Sequence, residues 1–474
     1  MSRLLSNLPI ENLTPENDYI GIIEKGTLLK SFFLNNKDEF SKIKIFSIYG
    51  EWGSGKSTLM KYLEKELKGS FNTFFFESWE FESDANLANS LLEFLAKKSN
   101  TKVDNFLENG SKLLEGFAKS VTFKAPFANF SAKEMLNHVD NQTFFELKEQ
   151  FSKDFIDWEN KITEREGDKA PKYNIVFIDD LDRCEPENVL NLLSAMKLFF
   201  TYGKKTIFLC GIDKKAVTEA VQTKYGDIVK ANEYLEKVFD ISFSMPENID
   251  AMKLVNSYFD ESEKVNDKKL GDLINDFFEK LHFKNPRKIK KILNKYLIIK
   301  NLKESDVSQS LKLPNIIHNG SGTLFETYLT LYLLILNEFE NGIFESFLNV
   351  PFLRIKTDEA IKKYTEEKNK QQYFGLKENI INKNLNDFNF HENQRRDYCY
   401  SDLIVFFIPI NINTISDSVV SNIDYFNEDL NVYEKKYDYF FLKFLIINEN
   451  EIIKDLKKSS YSLLNYKKII ANLI

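Results

Sequence analysis

The sequence predicts an α/β fold: a three-layer α/β/α sandwich around a mostly parallel sheet, then an α-helical lid and a mostly α-helical C-terminal domain. Two segments predict it. The first is the apolar run Ile43-Lys44-Ile45-Phe46-Ser47-Ile48-Tyr49, followed by Gly50-Glu51-Trp52-Gly53-Ser54-Gly55-Lys56-Ser57 and by Thr58–Leu67. In that last stretch Leu59, Leu63 and Leu67 recur at i, i+4 and i+8, which is one face of a helix. The second is Asn174-Ile175-Val176-Phe177-Ile178-Asp179, continued by Asp180-Leu181-Asp182-Arg183. Its unbroken Ile/Val/Phe run is how a strand buried on both faces reads.

Residues 50–57 spell G-x-x-x-x-G-K-S, and strand, loop, helix is the context in which that spacing holds phosphate. Glycines let the backbone turn tightly and aim N–H groups inward, and the helix N-terminus adds partial positive charge. Lys56 has the reach for β- and γ-phosphates, and the Ser57 hydroxyl is a Mg²⁺ ligand. Gly50, Glu51, Trp52, Gly53, Ser54, Gly55, Lys56, Ser57 and Thr58 are therefore the candidate nucleotide-binding residues. Acids at the end of a parallel strand sit where such sheets bind ligands. Asp179 is placed to hold the same Mg²⁺, and Asp180 or Asp182 to orient and activate water. Alone, such a strand end reads equally as a plain strand-to-helix cap; the glycine loop is what favours chemistry. No N-K-x-D guanine-reading segment follows the loop, which favours ATP over GTP.

The other elements follow in order. Residues 1–18 are an irregular lead-in, 19–34 a helix, Phe71–Phe76 the second strand and 85–98 the next helix. Lys56 and Asp179 lie far apart for this fold, which places an insertion at about 99–170. Its middle mixes Phe117, Phe123, Phe127 and Phe130 with Lys119 and Lys124. That reads as a helical insertion packing its own phenylalanines, or as an amphipathic arm for a partner or membrane surface. The charged run Glu159–Lys172 reads as a solvated helix end and loop. Pro186 starts a helix that runs to about Phe200, with Glu185 and Glu187 suiting its first turn. Thr206–Ile212 is a buried strand ending at Asp213, which is either a sensor of the γ-phosphate or a cap of the next helix. Ser242–Met245 suits the last strand, closing a core of residues 1–246.

A helical lid is expected over 247–302 and a helical C-terminal domain of unassigned role over 303–474. The last lid helix repeats Ile289, Ile292, Leu293 and Tyr296 on one face. Arg287 sits in its first turn, a candidate to meet a γ-phosphate. Lys288, Lys290, Lys291 and Lys295 make either a solvated face or a nucleic-acid site. Tyr328–Leu336, between Glu326 and Glu338, is a buried helix too short for a membrane span.

Composition narrows the class. The 474 residues are 43% hydrophobic and 28% charged, with a net charge of −7, which argues against a surface built mainly for nucleic acid. Cys184, Cys210 and Cys399 have neither metal-ligand nor disulfide spacing, as in a reducing cytosol. The first residues lack the apolar core of a signal peptide. Arginine is scarce, seven of 64 basic residues, so Arg183 and Arg287 inside the motifs are the more informative.

Four spaced motifs together resemble the KAP P-loop NTPases, a STAND-like group of ASCE P-loop ATPases. They are GEWGSGKST; IVFIDDLDRCEPENVLNLLSAMKLFF; the aromatic stretch Phe75–Phe81 with Trp79; and Asn285-Pro286-Arg287-Lys288-Ile289-Lys290-Lys291, where Lys291 replaces the family's usual Arg. Tyr234–Phe239, leading into Ile241–Pro246, is similar as well. The resemblance covers residues 15–300 and is silent on 301–474. It implies that ATP·Mg²⁺ binds between core and lid, with Arg183 or Arg287 stabilising developing charge in cis or in trans. Nucleotide state would then control a protein partner, self-association or the C-terminal domain. By analogy alone it implies a bacterial role against phage or mobile elements. Many relatives carry transmembrane segments between the loop and the acidic strand; this chain shows none, so a cytoplasmic protein is expected. Two rivals are a nucleic-acid-stimulated motor or clamp using 284–303, and a non-catalytic ATP-binding scaffold.

Overall fold

The computed structural model describes residues 4–84, 86–99, 105–121, 144–164, 171–225, 228–246, 250–304, 313, 316–317, 322–341, 344 and 469–472. The chain divides into two compact units, Leu8–Ile249 and Asp250–Ile474, the latter joined by Met1–Asn7.

The first unit is built on five strands: β1 Ile45–Tyr49, β2 Asn72–Glu77, β3 Asn174–Asp179, β4 Thr206–Ile212 and β5 Ile241–Ser244. Their order is β2-β3-β4-β1-β5 and every pairing is parallel. A parallel sheet needs helices on both faces, and β3 and β4 are accordingly buried at every residue. Helices α1 Ile22–Asn35 and α2 Lys56–Leu67 cover one face, with Phe33, Leu59 and Leu63 packed on Phe46, Ile175 and Phe177. The other face is covered by α3 Leu87–Ser99, α4 Phe106–Val121, α5 Phe144–Thr163, α6 Pro186–Ala195, α7 Lys214–Tyr225 and α8 Ile228–Val238. The α/β sandwich expected from the two motifs is thus the observed fold. The helix expected to reach Phe200 changes to π-helical over Met196–Phe200, the kind of one-turn irregularity that often marks special sites.

The insertion supplies α4 and α5, which pack their own aromatic rings into the sheet core. Phe106 stacks on Trp158 at 5.7 Å and Phe117 meets Phe199 at 5.1 Å. Phe123, Phe127 and Phe130 lie outside the described residues.

One expectation fails here. Glu159 is not solvated; it is 2% exposed. Its carboxylate accepts from Lys204 N–H (2.8 Å), Lys205 N–H (2.7 Å) and the Thr206 hydroxyl (2.8 Å). Behind Thr206 stands a relay across the first residues of three strands. Asn72 Nδ2 donates to Asn174 Oδ1 (2.9 Å), and Asn174 Nδ2 donates to Thr206 Oγ1 (3.0 Å). Lys44 Nζ donates to the Gly203 carbonyl beside it, and burial holds its ammonium below the usual lysine range. Buried strand starts and turn amides need an acceptor, and one carboxylate with several lone pairs serves them together.

In the second unit lie α9 Met252–Asn256, α10 Leu270–Lys280, α11 Pro286–Glu304 and α12 Leu324–Phe339. The segment expected to be a helical lid also holds a hairpin, Lys264–Val265 with Lys268–Lys269. Asn266 and Asp267 form its turn at φ 49° and 64°, a left-handed pair that Asn and Asp tolerate best after glycine. Ile289, Ile292, Leu293 and Tyr296 of α11 are buried as expected, and so is Tyr328–Leu336. No helix among the described residues is long and apolar enough to cross a membrane.

Candidate nucleotide site

The glycine loop joins β1 to α2 and is pinned to the end of β4. Gly50 N–H donates to Ile212 O (3.1 Å), and Trp52 N–H donates to the Asp213 carboxylate (2.9 Å). A side chain at Gly50 would lie 2.5 Å from Ser54 Oγ and 2.7 Å from Met245. Gly53 and Gly55 have φ of 86° and 99°, the left-handed region that favours glycine. Gly55 caps α2, so the helix N-terminus opens at the loop. Lys56 is buried, and its ammonium donates to the carbonyls of Gly50 (2.8 Å) and Glu51 (3.1 Å). Ser54 Oγ is buried without a partner, a polar atom that a phosphate oxygen suits. The Thr58 hydroxyl accepts from Ile10 N–H (3.2 Å).

β4 lies between β1 and β3, and the acidic end of β3 meets α2 above it. Asp179 is buried, which pushes its carboxyl up; the Ser57 hydroxyl, the Asp180 N–H and the Lys56 charge oppose that. The Ser57 hydroxyl therefore stands beside the Asp179 carboxylate. Both are hard oxygen donors, the set that suits Mg²⁺. Among the described residues no group of three or more His, Cys, Asp or Glu side chains could hold a metal alone.

Asp180 follows with φ 57° and ψ 28°, a left-handed conformation unusual outside glycine. Its carboxyl is pushed up to about 6, first by burial and then by the Asp179 charge, against the pull of Arg183. Arg183 Nε stands 3.1 Å from Asp180 Oδ1, bent out of hydrogen-bond alignment. The same guanidinium lies over the Trp79 ring at 4.9 Å. Asp182 sits between them in the short turn Leu181–Arg183. Asp213 does two things: besides holding Trp52, it accepts from Lys215 N–H (3.0 Å) and Ala216 N–H (3.4 Å) and so caps α7.

Two residues that carried no site role at the level of sequence belong here. Trp79, 55% exposed, carries the Arg183 contact. A side chain at Gly211 of β4 would stand 2.9 Å from Asp179 Oδ1 and 2.8 Å from Met60 Sδ, so its bareness makes room for the acid. A lone glycine in an apolar strand is the signal that could have found it.

Arg287 belongs to the second unit, where its guanidinium donates to Asn7 O (3.3 Å). Its basic neighbours are engaged within that unit too. Lys290 donates to Ser6 O (3.2 Å), Lys291 and Lys295 both pair with Glu338, and Lys288 lies over the Phe339 ring at 5.2 Å.

Two uncharacterized proteins of Methanocaldococcus jannaschii are similar to this chain. One is 34% identical over 140 residues, 28% of this chain and 54% of the relative. The other is 29% identical over 171 residues, 29% of this chain and 88% of the relative. The chain thus spans about half the length of the first and most of the second. Residues 33–303, more than half of the chain, match the KAP family P-loop domain. With the glycine loop, the Ser57–Asp179 pair and the parallel sheet behind them, this chain belongs to the KAP family of P-loop NTPases.

Proposed function

We propose that this chain binds and hydrolyses ATP with Mg²⁺ and uses the nucleotide state as a conformational switch over a protein partner or its own C-terminal region. The observation that carries the reading is the glycine loop, with buried Lys56 and the unpartnered Ser54 hydroxyl, facing the Asp179 end of β3, where the Ser57 hydroxyl and two carboxyls come together. The loop amides and Lys56 bind the phosphates. Ser57 and Asp179 are the residues that would hold Mg²⁺, which would offset the phosphate charge as it develops. Asp180, ionised at neutral pH, accepts a proton from the attacking water; Asp182 is the alternative. Arg183 is positioned to turn from Asp180 toward developing charge, and Arg287 is the second candidate. Asp213, bonded to both loop and helix α7, is suited to transmit loop movement. A role in bacterial defence follows only by family analogy.

The test is Mg²⁺-dependent phosphate release by the purified chain, with Lys56→Ala as its blank. The parent should turn over, and the variant should lose tight nucleotide binding and at least 100-fold in turnover, since a preorganised charge stabiliser contributes about that much. Equal rates would refute the reading and leave a scaffold. Gly211→Ala probes the metal residues from behind. Crowding Asp179 is expected to weaken Mg²⁺ binding by about 10–100-fold, as neighbours that orient a ligand do. Calorimetric Mg²⁺ titration of the ATP complex reads it; unchanged affinity would take Asp179 out of the metal site. The nucleic-acid reading is the weaker, because Arg287, Lys290, Lys291 and Lys295 are bonded within their own unit.

A further inference from the structure

Arg287, Lys290 and Asn294 stand three and four residues apart on α11, hence along one side of it. All three bond to the main chain of one segment that has no regular secondary structure. Asn294 Oδ1 accepts from Leu5 N–H (3.0 Å) while its Nδ2 donates to Leu5 O (2.8 Å). Lys290 Nζ donates to Ser6 O (3.2 Å) and Arg287 to Asn7 O (3.3 Å). Three successive carbonyls therefore meet three successive donors, the segment running opposite to the helix. The Asn294 amide is itself held: the hydroxyl of buried Tyr258 donates to its Oδ1 at 3.2 Å. An amide that both donates to and accepts from one residue's backbone does what a neighbouring strand does in β-augmentation. Leu4 is 54% exposed, Ser6 and Asn7 are exposed, and Leu5 is half-buried.

We infer that this side of α11 is a peptide-binding site that reads main chain, filled here by the chain's own Leu5–Asn7 and able to take the same segment from a second copy of the chain. A segment held by backbone bonds at an accessible surface exchanges at low cost, because the same bonds re-form in trans; this is the usual route of segment swapping. The inference does not depend on ATP hydrolysis.

Two full-length variants test it. Leu5→Pro removes the N–H that Asn294 accepts, so its site is intact and its segment spoiled. Asn294→Ala spoils the site and leaves the segment intact. Leu5 is only part-buried, so the proline leaves the core alone. Tagged Leu5→Pro chain should capture untagged Asn294→Ala chain at least tenfold better than it captures itself. Excess peptide of residues 4–10 should disperse the pair, and the same peptide with proline for Leu5 should not. A peptide with that sequence scrambled should compete within a few-fold, since the site reads backbone. No capture at the highest soluble concentration would overturn the proposal. Capture that the proline peptide disperses equally well would overturn main-chain reading.

Discussion

Asp180→Asn is expected to lower ATP turnover by about 10²–10⁴-fold, the range for loss of a general base, while making the protein more stable at pH 8. Both effects have one cause. Burial and the Asp179 charge raise the Asp180 carboxyl from 3.8 to about 6 in the folded state. The fold therefore disfavours the ionised form that a base must use. The sign follows from that direction. Below the ordinary value of 3.8 the group is protonated whether folded or not, and it costs nothing. Between there and about 6 the penalty grows, and above about 6 it is complete. With solvent reaching part of the carboxylate, the penalty is about 1–2 kcal/mol. Asparagine removes it and also tolerates the left-handed backbone at this position. The melting temperature should rise by about 2–8 °C at pH 8 and stay unchanged near pH 4. The parent's turnover should fall about tenfold for each pH step below about 6. Full activity in Asp180→Asn, with loss in Asp182→Asn, would move the role to Asp182.

Glu159→Ala is expected to be the most damaging single change to the fold, costing about 3–5 kcal/mol. It would strand the Lys204 and Lys205 amides and the Thr206 hydroxyl, and would leave Lys44 beside a cavity. Domains of this kind are stable by only about 5–15 kcal/mol, so the variant should unfold at much lower urea concentration. Glu159→Gln, which keeps the volume and one acceptor, should lose about half as much. A midpoint for Glu159→Ala within error of the parent would show that water replaces the carboxylate and that the relay contributes nothing to stability. Because the relay lies at the strand starts and the glycine loop at the strand ends, residual folded protein should still bind nucleotide.

The two expected results differ in how far they could be read from sequence, and the reason is range. The glycine loop, its flanking strand and helix, and the acidic end of β3 are local patterns. Each declares itself within about ten residues, so the sandwich and its loop were legible. Helix ends moved by one to three residues, as local patterns allow. Glu159 was not legible. It stands in a run of charges, and the groups that bury it lie 45 to 47 residues away. The hairpin at Lys264–Lys269 was masked by its lysines, which hid an Asn-Asp turn inside a segment rich in helix formers. The contact of Trp79 with Arg183 joins the ends of two strands and needed the β2–β3 pairing before it could be seen. Gly211 was in plain view within β4, but only the neighbouring carboxylate gives it meaning.

The bonds between Leu5 and Asn294 span 289 positions of chain. At the usual pace of synthesis, about 5–20 residues per second, Leu5 leaves the ribosome roughly 15 to 60 seconds before its partner exists. During that time the sheet unit between them can collapse and order. The oldest described residues of the nascent chain are thus among the last to be seated, and their docking reports that α11 has been completed. In a polysome, newly finished α11 helices meet the waiting segments of neighbouring chains as well as their own. Whether a molecule closes on itself or on its sibling is then a question of local concentration at birth.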